Sequence, residues 1–156
     1  MKPRITAAAG LAVALVAVSS SVLLMGGNSN AAVSHTCSAT DRQFLGAAQL
    51  NMAALGTLSQ DYLQGDAEAD DVIVQADSAA TSLLNTNPSD PSLSKTRTIL
   101  RAMFLNYARA IRADKHHHDP GKYIYQAYGL ANFAHDVLSQ AKPALAERGC
   151  DVSPLL

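Results

Sequence analysis

The chain has 156 residues, 48% of them hydrophobic, and a formal net charge of −1 at pH 7. That length suits a single domain of ordinary size. The near-neutral balance, with no basic groove lined by aromatic residues, argues against nucleic acid as a partner.

The first segment reads as a signal peptide over residues 1–32. Lys2 and Arg4 supply a positive start, and an uncharged, mainly apolar run extends from Ile5 to Met25. Gly26, Gly27, Asn28, Ser29 and Asn30 break it ahead of the small residues Ala31 and Ala32, where cleavage is expected. An uncleaved anchor is the rival, because the run is long enough to span a bilayer. The polar break and the small residues favour cleavage, leaving no membrane span in the mature chain. Val33, Ser34, His35 and Thr36, ahead of Cys37, are mostly polar and form no lipid-attachment box. The protein is therefore expected outside the cytoplasm, secreted or at the cell envelope.

From Cys37 onward, apolar residues recur every three or four positions, and no strand-like alternation is evident. The spacing predicts four helices. The first runs from about Ser38 to Leu63, with Thr40 and Gln43 placed as a capping box, a stripe through Phe44, Ala48, Met52, Leu55, Leu58 and Tyr62, and Gly65 as its stop. The second runs from about Ala67 to Asn85. Asp66, Glu68, Asp70 and Asp71 crowd its first turn, where the helix dipole favours negative charge. The third opens with Asp90 as N-cap and Pro91 at the first helical position, and reaches about Lys115. The fourth opens in the same manner on Asp119 and Pro120, carries Ile124, Ala127, Tyr128, Ala131, His135, Leu138 and Ala141 on one face, and is expected to kink or restart at Pro143. Residues 151–156 read as a short frayed tail.

Short connections favour antiparallel neighbours. The expected fold is all-α: an antiparallel up-down-up-down four-helix bundle over residues 33–150. The two cysteines of an exported chain are expected to pair. An even number of antiparallel helices places Cys37 and Cys150 at the same end, in agreement with a Cys37–Cys150 disulfide.

Charge is unevenly spread. Between Cys37 and Asp90 the only base is Arg42, whereas bases outnumber acids from Pro91 onward. Arg97, Arg101, Arg109 and Arg112 are expected mainly to face the acidic second helix or water, with an anionic cell-surface polymer as the alternative partner.

Three groupings are candidates for chemistry. His116, His117, His118 and Asp119 lie at a helix end, where imidazoles and a carboxylate can hold a transition metal. A solvated polar turn is the plainer reading. His135, on the apolar stripe of the fourth helix, falls at the level of Met52 and Met103, and a histidine facing a methionine can hold haem iron. The plainer reading there is a core histidine bonded to Asn51 or a backbone carbonyl. Tyr123, Tyr125 and Tyr128 cluster at the start of the fourth helix. A carboxylate-bridged di-iron site, a phosphate-cradling loop and a Gly-x-Ser-x-Gly elbow are all missing from the sequence.

In layout (leader, early cysteine, helices containing Asp61-Tyr62-Leu63, late cysteine) the chain resembles the small secreted haem-binding proteins of actinobacteria. The histidine that follows the tyrosine in that family is missing, and the resemblance assigns no residue here. The expectation is a secreted, non-enzymatic helical domain that binds a cell-envelope component or a small ligand. A haem or transition-metal binding protein is the alternative, and a small secreted enzyme the second.

Overall fold

A computed structural model of the chain describes residues 36–156, so the expected leader lies outside the described residues. Four helices are present, α1 (Ala39–Gln64), α2 (Ala69–Leu84), α3 (Pro91–Lys115) and α4 (Gly121–Glu147), followed by a short 3₁₀ turn at Ser153–Leu155. Among the described residues there is no strand, and no helix is long and apolar enough to cross a membrane. Cys37 and Cys150 are joined by a disulfide.

Local chemistry explains most boundaries. At α1 the cap is Ser38 rather than Thr40: its Oγ accepts from the Asp41 N–H at 3.0 Å. Thr40 sits two residues past the cap, and its hydroxyl lies 3.1 Å from that of Ser38. Gly65, at φ 87°, ends α1, with its N–H on the Tyr62 carbonyl and the Asp66 N–H on the Asp61 carbonyl. Glu68 and Asp71 form a reciprocal capping box at α2. Asp90 caps α3 through the Ser92 and Leu93 N–H groups, with Pro91 following as expected. Pro143 lies within α4, which continues to Glu147 without a break.

Phe44, Leu83, Leu93, Phe104, Leu138 and Leu145 are the largest fully enclosed apolar side chains of the core. Helix packing is centred on α3, which lies along both α2 and α4; α1 lies against α2 and touches α3. No Cα of α1 comes within 8 Å of a Cα of α4, so these two helices do not form a packed seam. They are tied at one pole instead, by the disulfide and by the 3₁₀ turn that contacts both. The expected frayed tail is thereby corrected. Val152 is 1% exposed and belongs to the core, because burying its side chain there offsets the entropy of ordering the segment.

Candidate binding groove

A network of side-chain hydrogen bonds gathers at the pole that carries the disulfide. The Asp41 carboxylate is 3% exposed and reaches across to the turn before α3. It accepts from the Ser89 N–H at 2.7 Å, the Ser89 hydroxyl at 3.0 Å and the Asp90 N–H at 3.1 Å. Asp90, 5% exposed, caps α3 and also receives Arg148 from the end of α4. Burial pushes both carboxyls up. The hydrogen bonds outweigh it: from Asp90, Ser38 and Ser89 on Asp41, and from Arg148, Leu93 and Ser92 on Asp90. Both therefore titrate below the ordinary carboxylate value. Gly149 at φ 71° lets the Cys150 N–H reach back to the Leu145 carbonyl, fixing the cysteine beside this network.

The histidine turn is built as a helix terminus. The His117 N–H bonds to the Asp114 carbonyl and the His118 N–H to the Ala113 carbonyl, with His117 at φ 57° where glycine is usual. Among the described residues the one group of three or more potential metal-ligating side chains within reach of one another is Cys37, Asp41 and Cys150, whose sulfurs are already bonded to each other. His116, His117, His118 and Asp119 do not converge. The Asp119 carboxylate turns to the Gly121 N–H at 2.8 Å.

The haem pairing is not assembled either. His135 is 54% exposed at its side chain, with Asp136 at 3.8 Å and the Ser139 hydroxyl at 3.5 Å as its polar neighbours. The expectation of a buried imidazole is corrected. The buried line of α4 is Ala127, Ala134, Leu138 and Leu145, and His135 stands roughly 80° round the helix from it at 3.6 residues per turn. Met103 is buried in the core, and Met52 packs on the core's edge. Asn51 is satisfied by the Ala47 carbonyl and Ser82, not by a histidine.

The arginines of α3 divide. Arg97 bonds the Thr86 carbonyl at the end of α2, and Arg112 pairs with Asp77 of α2, as the acidic-helix reading expects. Arg109 makes no ion pair among the described residues. Among the described residues its guanidinium donates one side-chain hydrogen bond, to the Asn106 carbonyl oxygen at 3.4 Å. It lies in an open groove of about 520 Å³ between α3 and α4, lined by Asn106, Arg109, Tyr125, Gln126, Gly129, Leu130 and Phe133. Tyr125 is 79% exposed and Phe133 45% exposed. Lys95 stands at the Phe133 end, its Nζ 4.8 Å from the ring centroid. A Cβ built on Gly129 would meet nothing within 4 Å, so the position between the two rings is empty space.

Sequence reading had singled out Tyr125 and Arg109 but not the groove. The available signal was the spacing of Tyr125, Gly129 and Phe133, at i, i+4 and i+8, which puts two aromatics and a gap on one helix face. A second depression of about 300 Å³ lies at the disulfide pole, bounded by Lys142, Ala146 and residues 149–153. Comparison of the chain with family models, with curated proteins and with solved structures found no match.

Proposed function

We propose that this is an exported, non-enzymatic binding domain whose contact face is the α3–α4 groove and whose partner is a component of the cell envelope. The observation that carries the reading is the combination of two exposed rings, a vacant helix position between them and an arginine with no carboxylate partner among the described residues. Exposed aromatic and arginine side chains gathered on one shallow, open face are what binding surfaces supply.

The rest of the molecule serves as the frame. Cross-helix contacts support an up-down-up-down order. Asp70 at the start of α2 pairs with Lys115 at the end of α3, and Arg148 after α4 pairs with Asp90 before α3. Asn51 of α1 meets Ser82 of α2, and Tyr62 near the end of α1 donates to Asp114 near the end of α3 at 2.7 Å. The non-enzymatic reading draws on where the perturbed groups sit. Asp41 and Asp90 are spent on capping and clamping. Burial and the neighbouring Asp114 carboxylate push the Tyr62 hydroxyl up to about 12, which keeps it a protonated donor. None of these groups lines the groove, whereas an acid–base site gathers its perturbed groups in the cleft.

Gly129→Leu separates groove from frame. The larger side chain enters open space, and losing a mid-helix glycine favours the helix by somewhat under about 1 kcal/mol. Wild-type protein is expected to co-sediment with isolated cell-envelope material, and Gly129→Leu to remain in the supernatant with a melting temperature no lower than that of wild type. Equal sedimentation of both proteins would remove the groove from the account.

A further inference from the structure

We infer that the ligand of this groove is a saccharide chain bearing carboxylate groups, an inference that rests on the groove being the contact face. Tyr125 and Phe133 are two helical turns apart, about 12 Å along α4 at 1.5 Å per residue. With Gly129 midway, the floor between the rings is bare backbone. Such a surface suits a flat, linear ligand laid along the helix, stacking on the Tyr125 ring, crossing the floor and meeting Lys95 where its Nζ stands over the Phe133 ring. Sugar rings fit those contacts. Their faces carry C–H bonds whose weakly positive hydrogens lie against the negative face of an aromatic ring. Their hydroxyls need paired donors and acceptors at the flank, and the Asn106 and Gln126 amides provide both.

Charge selects the acidic kind of saccharide. The guanidinium of Arg109 offers parallel N–H donors that match a carboxylate, and no carboxylate of the described residues engages it. Lys95 adds a second cation, above Phe133. Arg109 in the groove and Lys95 over Phe133 thus offer two separate cations, as an acidic residue repeated along a polymer would require.

A peptide partner fits less well. Both walls are helices whose backbone groups are bonded internally, so no strand can be added at an edge. A docked amphipathic helix needs a row of apolar anchor pockets, and here Asn106, Arg109 and Gln126 interrupt the apolar positions.

The test uses isotope-labelled protein in its exported, disulfide-closed form, followed by amide NMR while three probes are added: oligogalacturonate, a neutral malto-oligosaccharide of equal length, and oligoglutamate. Oligogalacturonate is expected to shift amides around Asn106–Arg109 and Tyr125–Phe133, with binding that weakens as salt is raised. Arg109→Gln is expected to weaken it about ten-fold, the loss of one charge-assisted contact. Gly129→Leu is expected to abolish the shifts while leaving the remaining spectrum folded.

Equal response to oligoglutamate would assign the groove to acidic peptides and overturn the saccharide. Equal response to the neutral sugar, or an undiminished response of Arg109→Gln, would overturn the carboxylate requirement. No groove shift with oligogalacturonate would sink this inference alone, because envelope sedimentation of Gly129→Leu decides the groove by itself.

Discussion

Replacing Cys37 and Cys150 together by alanine is expected to cost about 5 kcal/mol of stability, read as a lowered urea midpoint under conditions where both proteins refold. The bridge closes a loop spanning 113 positions of sequence, and in the chain-entropy model a loop of that length restricts the unfolded chain by about this much. Small domains hold only about 5–15 kcal/mol in total, so the variant should sit close to its folding threshold at body temperature. The effect is local in structure as well as large. α1 and α4 share no packed seam, so the disulfide and the docked Val152 turn carry the connection that helix packing supplies elsewhere. Loss of the bridge should therefore raise amide exchange first at the start of α1 and the end of α4, with α2 and α3 following only on global unfolding. A loss below about 1 kcal/mol would mean that helix packing alone holds the pole together.

The second large effect belongs to Asp41. Its carboxylate is the acceptor for two backbone N–H groups and one hydroxyl in the turn before α3. Asp41→Ala leaves the buried Asp90 N–H without its acceptor and releases the exposed Ser89 from the clamp, and roughly 2 kcal/mol is expected to be lost. Asp41→Asn keeps one acceptor oxygen and should lose about half as much. The pH dependence identifies the mechanism. Asp41 and Asp90 both titrate below their ordinary value in the folded protein. Each therefore contributes stability that is fully present above about pH 4, the unfolded carboxylate value, and is lost as pH falls through the lower folded value. Wild-type protein should destabilise as acid is added below about pH 4, and Asp41→Asn should show a shallower decline over the same window. A decline of equal steepness in the two proteins would assign the acid sensitivity to other groups.

Much of the frame was legible from sequence because its signals are local. Apolar spacing marked each helix, Asp90-Pro91 marked a start, Gly65 marked a stop, and the two cysteines matched a shared pole. What was not legible depends on distance or on a small rotation. Asp41 reads in sequence as an ordinary first-turn acid, and only the arrival of Ser89 and Asp90, 48 and 49 positions later, makes it a clamp. His135 neighbours the buried Ala134, and a stripe shifted by one residue moves it from the core to the surface. The tail carries no periodicity, yet Val152 is buried in the core and the turn after it contacts both α1 and α4. The groove escaped because its key residue is a glycine, whose contribution is an unfilled position that no composition or motif reports.

The central claim is that the α3–α4 groove is the surface through which this protein meets the cell envelope, with the disulfide pole serving as its support. Hydrogen–deuterium exchange of the exported protein with and without solubilised envelope polysaccharide measures that most directly. Added protection confined to α3 near Asn106–Arg109 and to α4 between Tyr125 and Phe133 is the predicted footprint. Protection centred on the His116–His118 turn or on the disulfide pole, with the groove unchanged, would contradict it.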